Sequence, residues 1–281
     1  MSAQAGNGGH SNYFSQVFAS MRLSLTQLVR PPSHSRRAEA ARRSARHVLL
    51  LIVMLGAAVI VLMYALDVTE ISLMPPRGAA SLWPVRILTD FGKSAYVLWL
   101  LAAMLFAVAI ISPRLRGTSR SLLLSLGTRL QFLFLAVLVP VLAGEVIKWI
   151  AGRGRPFVGG KADAFNFAHF SGTEAYASFP SSHAITSFAL AFAVSALWPQ
   201  ARAAMIVYAL LIAASRLVLL AHHPSDVVAG ALIGVVGAML VRYWFAARRL
   251  GFAIGRDGTI VPLAGPSPGH LKRVAREASA P

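Results

Sequence analysis

The residues with the clearest chemical potential lie between Ser215 and Asp226, in the run Ser-Arg-Leu-Val-Leu-Leu-Ala-His-His-Pro-Ser-Asp. Arg216 sits deep in an apolar stretch, where a guanidinium is costly and rarely incidental. At the far end stands a histidine with a carboxylate four residues on, the arrangement that orients and activates an imidazole. At about 100° per residue, His223 shares a helical face with Arg216, and His222 lies about 120° away. Pro224 disfavours helical geometry at the residue before it, so the turn need not be regular. Periodicity therefore leaves both histidines open. A polar loop capping two apolar spans would explain the histidines but not Arg216.

Two further clusters offer groups that suit an anion. In Lys148-Trp-Ile-Ala-Gly-Arg-Gly-Arg-Pro156, Gly152 and Gly154 let the backbone turn so that Lys148 and Arg155 can aim at one place. Lysine supplies a point charge and arginine a planar fork, a useful pair around a phosphate. Arg153 reads as a cation snorkelling to the interface from a helix end. In Phe179-Pro-Ser-Ser-His183, proline and serine signal a helix start. Free N–H groups and the helix dipole there favour an anion, and Ser181 or Ser182 can add a hydroxyl. His183, in the first turn, could protonate a leaving group. Each cluster alone also fits a blander reading, as snorkelling cations or as a plain helix cap. Together, three cations, a helix N-terminus and histidines fit a phosphoryl group, whose equatorial oxygens need charge stabilisation in the transition state.

These clusters need a scaffold, and the bulk composition says which kind. The chain has 281 residues, 56% hydrophobic and only 13% charged, with a mean hydropathy of +0.63. Soluble domains carry about 25% charged residues. Six apolar spans stand out, at Val48–Leu66, Ala95–Ile111, Leu130–Ile147, Ala184–Trp198, Ala203–Ala221 and Val227–Phe245. Each is near the ~20 residues needed to cross hydrocarbon. An all-α, polytopic six-helix bundle follows. The first span starts too late for a cleaved signal peptide and reads as a signal anchor.

The net charge is +17, with seven basic residues up to Arg46 and seven from Arg242 onward. Flanking apolar spans in this way, they read as cytoplasmic anchors attracted to anionic lipids and not as a nucleic-acid surface. Both tails are then inside, and Arg114, Arg116, Arg120 and Arg129 fill a second inner connection. The segments 67–94, 148–183 and 222–226 face outward, and the last two carry the polar residues of the clusters. Residues 1–46 read as a mostly disordered basic segment with a possible interfacial helix near 14–28. Residues 47–246 form the membrane domain, and 247–281 a basic tail. There is no cysteine, hence no disulfide or thiolate chemistry, and no metal-ligand spacing is evident.

With these residues in view, the chain resembles the type 2 phosphatidic acid phosphatase (PAP2) superfamily of membrane lipid phosphatases, over roughly residues 95–245. That family carries Lys-x6-Arg-Pro, Pro-Ser-Gly-His and Ser-Arg-x5-His-x3-Asp. Here these read Lys148 to Arg155-Pro156, Pro180-Ser181-Ser182-His183, and Ser215-Arg216 through His222 to Asp226. Ser182 replaces the family glycine and adds a side chain beside the phosphate.

The resemblance implies roles. His222, in preference to His223, is the nucleophile forming a phosphohistidine, and Asp226 holds it. His183 protonates the leaving group. Lys148, Arg155, Arg216, Ser181 and the backbone near Ser182 bind phosphate oxygens. No metal or other cofactor is implied. The expected reaction is hydrolysis of a lipid phosphate or diphosphate at the outer face of the cytoplasmic (inner) membrane. Undecaprenyl diphosphate, phosphatidylglycerol phosphate, phosphatidic acid and lipid A phosphates all present a suitable group. The segment 157–179, with Lys161, His169, Glu174 and Tyr176, is where head-group selection is expected. A phosphotransferase would share the covalent intermediate. A phospholipid flippase could use the same cations, but needs neither nucleophile nor acid. Related haloperoxidases are soluble, which the apolar spans argue against.

Overall fold

The computed structural model describes residues 13–156, 158–159 and 163–265, with isolated positions at 269, 272 and 276. The chain is mostly helical. Its helices are α1 (Tyr13–Val29), α2 (Arg37–Ala65), α3 (Asp67–Leu73), α4 (Trp83–Asp90), α5 (Ser94–Ile111), α6 (Gly117–Ala151), α7 (Ser182–Leu197), α8 (Arg202–Val218) and α9 (Pro224–Ala247). Five stretches are long and apolar enough to cross a membrane: Arg37–Ala65, Ala80–Arg114, Gly117–Ala151, Pro199–Val218 and Pro224–Ala247. The remaining apolar helix, α7, has 16 residues. At about 1.5 Å per residue it is roughly 24 Å long, against ~30 Å of hydrocarbon.

Helices α6, α7 and α9 form the centre, with α8 and α2 packed on α7 and α9 respectively. Small residues set the spacing. A Cβ at Gly230 would lie 2.6 Å from the Ser181 carbonyl oxygen, and one at Gly234 would lie 2.4 Å from that of Ile185. This Gly-x-x-x-Gly stripe lets α9 meet the backbone of α7 directly. It fixes the start of α7 against the start of α9, and those two helix ends carry His183 and Asp226. Toward the other end, Phe132 of α6 stacks edge-on against Phe245 of α9 and Phe252, with ring centroids 5.4 and 4.8 Å apart. The outer helices keep apolar side chains exposed, as lipid-facing surfaces do: Leu50, Val53 and Met54 of α2, and Trp99, Leu100 and Phe106 of α5.

Three expectations need amendment. The all-helical reading missed a small hairpin, β1 (Phe252–Ile254) with β2 (Ile260–Pro262), paired antiparallel. Its strands are too short to show an alternating pattern. Within residues 13–46, read as mostly disordered with a possible helix near 14–28, α1 falls on that helix and the first turns of α2 are also formed. The run from Arg37 to Arg46 is rich in Ala and Arg, both strong helix formers, so α2 begins well before its apolar span. Helix α1 is held by the Tyr13 hydroxyl, which donates to the Ile110 carbonyl (2.6 Å), and by Gln27 on Gln131 (2.9 Å). Finally, Arg120 and Arg129 lie on α6 and not in a connection. Arg129 is buried and donates to Ser125 Oγ and to the Leu263 carbonyl, both at 2.7 Å.

Candidate active site

The chain between α6 and α7 folds back on the end of α6. Gly152 adopts φ +54°, and a Cβ there would meet the Ala168 carbonyl oxygen at 1.9 Å, so only glycine fits. Backbone bonds then fix the strip: Ala168 N–H to Gly152 O, Gly154 N–H to Asn166 O, Arg155 N–H to Ala175 O and Ser178 N–H to Arg153 O. The side chains of Arg153 and Arg155 leave this strip in different directions.

Helix α8 ends at Val218, Leu220 takes a positive φ of 48°, and Pro224 opens α9. Proline suits that first position because its missing N–H would have no intrahelical partner. Asp226, fully buried in the first turn, accepts on Oδ2 from the His223 amide (2.9 Å) and the Ser178 hydroxyl (2.6 Å). Its Oδ1 accepts from Arg153 Nη1 (2.6 Å). His222 is also buried. Its Nδ1 lies 2.7 Å from the Ser178 carbonyl and 3.8 Å from Asp226 Oδ2. The carbonyl, which can only accept, is thus the hydrogen-bond partner and Asp226 acts through charge. The proton is fixed on Nδ1 and the lone pair on Nε2. Burial holds the His222 imidazole below its ordinary pKa, against the pull of Asp226, and the charges of Arg216 and Arg155 add to the lowering. Near neutral pH it is uncharged, the form in which an imidazole nitrogen can act as a nucleophile.

Around this histidine gather the cations. Arg216 donates Nη1 to Thr89 Oγ1 (2.7 Å) while its buried Nε has no partner. Arg155 pairs through Nη2 with Glu174 (2.8 Å), and its Nε is likewise buried and unpartnered. Lys148 Nζ meets Glu145 Oε1 at 2.8 Å, as their i,i+3 spacing suggests, and also meets the hydroxyl of Ser182. Ser182 in turn donates to Glu145 (2.7 Å). His183 opens α7 with its ring against Gly92, and Arg216, His222, Lys93 and Lys148 all lie within its electrostatic reach. Its Nε2 and the Ser181 hydroxyl are buried without partners. The Ser181 amide is taken by the Asp226 carbonyl (3.0 Å), so the free amides begin at Ser182 and His183, which lead the helix. All eight residues singled out in the sequence therefore meet in one region.

Several neighbours had no motif to reveal them. Arg153 is not a snorkelling cation. It is 1% exposed, and every nitrogen is engaged: Nε and Nη2 donate to the Ala164 carbonyl, Nη1 to Ser225 Oγ and Asp226, and Nη2 to Asp67 Oδ2 (2.7 Å). The correction is physical. The Gly-Arg-Gly turn points this side chain inward, where two carboxylates offset its desolvation. Asp67, which directly follows the first apolar span, lies fully buried on α3. In the segment read for head-group selection, Glu174 holds Arg155 and His169 Nδ1 lies 3.1 Å from the Ile150 carbonyl. Lys161 is outside the described residues. Among the described residues, no three of His, Cys, Asp and Glu cluster as a metal-holding set.

Comparison with known proteins points the same way. Residues 129–250 match the family profile described as PAP2 superfamily. The chain is 34% identical over 175 residues to a lipid A 1-phosphatase of Rhizobium johnstonii, covering 62% of this chain and 71% of that protein. It is 33% identical over 175 residues to a lipid A 1-phosphatase of Rhizobium etli, covering 62% and 75%. No solved structure matches at a significant level.

Proposed function

Because the chain belongs to the PAP2 superfamily, we propose that it is a membrane lipid phosphatase using a phosphohistidine on His222, with the 1-phosphate of lipid A as its substrate. One observation carries this reading. Ser181 Oγ, His183 Nε2, Arg155 Nε and Arg216 Nε are all buried near His222 and lack partners. A phosphoryl group satisfies all of them, whereas leaving each unpaired costs about 1–3 kcal/mol.

In the first step, His222 Nε2 attacks phosphorus in line, the N–P bond forms and the bond to the lipid oxygen breaks. Burial and the neighbouring cations hold His183 well below its ordinary pKa, so it takes up its proton with the bound phosphate and gives that proton to the lipid oxygen. The positive charge arising on the imidazole is met by Asp226, while the Nδ1 proton stays on the ring and is donated to the Ser178 carbonyl. In the second step, water attacks phosphorus, His183 takes the water's proton, and the N–P bond breaks to release phosphate. Arg155, Arg216, Lys148, Ser181 Oγ and the leading amides of α7 bind the equatorial oxygens, whose charge grows in the transition state. The Glu174 carboxylate on Arg155 is 93% exposed. An exposed pair of that kind is worth ~0–1 kcal/mol, so a phosphate can displace it.

The wider setting belongs to the same reading. Catalysis resides in the membrane domain, 47–246, with the site on the outer side of the inner membrane and both basic tails inside, against anionic lipid. The names of the two relatives support this choice of substrate. A panel of lipid A 1-phosphate, phosphatidic acid, phosphatidylglycerol phosphate and undecaprenyl diphosphate, in detergent with chelator, tests it. Phosphate release should be fastest from lipid A and abolished in His222→Ala. Undiminished release by His222→Ala overturns the mechanism. Since the chain has no cysteine, a single Cys placed at Ser171 tests the orientation: labelling in intact spheroplasts is expected, and protection there overturns it.

A further inference from the structure

Behind His222 lies a second layer of charge that belongs to none of the three motifs. Asp67 opens α3, immediately after α2, and its carboxylate makes two bonds to the start of α9 and one to Arg153. Its Oδ1 accepts the Ser225 amide (3.0 Å), and its Oδ2 accepts the Ser225 hydroxyl and Arg153 Nη2 (2.7 Å). Arg153 Nη1 then bridges to Ser225 Oγ and Asp226 Oδ1, both at 2.6 Å. Asp67, Ser225 and Asp226 are 0% exposed and Arg153 is 1% exposed. One guanidinium thus lies between two carboxylates in a site without water access.

The charge count gives this arrangement its meaning. Arg153 facing Asp226 alone is neutral overall, and the carboxylate's field at the imidazole is largely cancelled. Adding Asp67 leaves a net charge of one negative. That charge sits beside a histidine that becomes cationic when Nε2 takes a phosphoryl group and Nδ1 keeps its proton. In a buried site such a field acts with little screening. Asp67 also occupies the N-terminus of α9, where the helix dipole favours an anion, and so holds the turn that carries Asp226. We propose that Asp67 is a positioning residue for the reaction: it shares the charge of Arg153 and leaves Asp226 free to stabilise the cationic form of His222.

The inference rests on His222 as the nucleophile. It concerns pH as well as rate, because the attacking imidazole must be neutral and activity falls on the acid side as it protonates. The charged groups around His222 are Asp226 on α9, Arg216 on α8, His183 on α7, Arg155 in the connection before α7, and His223 beside it. Lys148 on α6 faces His183. On α3, Glu70 lies one turn beyond Asp67, with both carboxyl oxygens buried and unpartnered. Removing the charge of Asp67 makes the surroundings of His222 more positive, so its proton is lost more readily and the acid limb moves to lower pH.

The experiment measures phosphate release from bisphosphorylated lipid A by the full-length protein in detergent, across pH 4.5 to 8. Asp67→Asn is expected to lower kcat by about 10- to 100-fold with KM within about threefold. Its acid limb should move down by about half a pH unit or more, and Asp67→Glu should return the limb to its original position. The shift should persist in a Glu70→Gln background. If Glu70→Gln alone removes the limb, the assignment to His222 fails and the proposal with it. Wild-type kcat and limb in Asp67→Asn overturn it. So does a loss of kcat with an unmoved limb, which is what a merely structural role gives. If Asp67→Asn is not recovered folded, Asp67→Ser decides, since it also removes the charge and leaves a hydroxyl toward Ser225: its acid limb should again move down by about half a pH unit or more, and an unmoved limb overturns the proposal. His222→Ala separates the two levels: its full activity sinks the nucleophile, whereas a wild-type Asp67→Asn beside an inactive His222→Ala sinks only the role of Asp67.

Discussion

Arg153 and Arg155 stand two residues apart on one strip of chain and belong to opposite regions of the site. Arg153 lies in the buried layer behind His222 with every nitrogen engaged. Arg155 lies at the rim, about one quarter exposed, with one exposed carboxylate as partner and a buried Nε unpartnered. The difference is one of saturation. A guanidinium whose five donors are satisfied by the protein holds structure together. One with donors to spare is prepared for an anion that arrives later.

The largest effect tests the centre that both regions serve. His222→Ala should lower kcat by on the order of 10⁴-fold or more, as removal of other covalent nucleophiles does, and no acid-labile phosphoenzyme should be trapped on a rapid quench. Next come the two arginines, which should fail differently. Arg155→Ala should reduce kcat/KM by roughly 10²–10³-fold and leave thermal unfolding almost unchanged. Arg153→Ala uncovers two buried carboxylates, a loss of about 3–5 kcal/mol, and should cost folded yield first. Equal stability of the two variants in a detergent melting assay would erase the distinction.

A third effect concerns Glu70. Burial, and then the nearby carboxylates of Asp67 and Asp226, raise its pKa from 4.5 to about 7. A raised carboxyl pKa means the folded state prefers the protonated form. Stability is then fully present below about pH 4.5 and is lost as pH rises through 7. At roughly 1.4 kcal/mol per unit, the cost at pH 8 is at most on the order of 3 kcal/mol. Glu70→Gln should therefore melt higher than the parent at pH 8, and the gain should vanish by pH 4.5. The smallest effect lies at the rim. Glu174→Gln releases Arg155 from an exposed pair worth ~0–1 kcal/mol, so KM should fall by no more than about fivefold with no change in melting.

The sequence showed the rim far better than the layer behind it, for a physical reason. Lys148, Arg155, His183, Arg216, His222 and Asp226 are chemically unusual where they stand, beside or within apolar spans, and their spacing is regular enough to recognise. Choosing His222 over His223 needed the family resemblance, because the turn at Leu220 to Pro224 follows no helical period. Asp67 and Arg153 carry no such mark. One directly follows an apolar span and the other looks like a cation at an interface, and only tertiary folding brings them together, 86 positions apart. Five of the six expected spans were legible from apolar length, and the remaining one, α7, is shorter than a full crossing. The hairpin after α9 was not, since strands of three residues leave no periodic signal, whereas α1 falls where a helix was read near 14–28.

The 16-residue length of α7 bears on how a greasy substrate is handled. If the shortfall of about 6 Å against a full hydrocarbon crossing falls at the end that carries Ser181 and His183, those residues line a dent in the membrane surface and do not stand on a crest. A phosphate anchored to acyl chains can reach them by drifting sideways at its own depth. Cleavage then needs no lifting of the tails into water, the step that dominates the energetics wherever a soluble protein has to pluck a lipid from its leaflet.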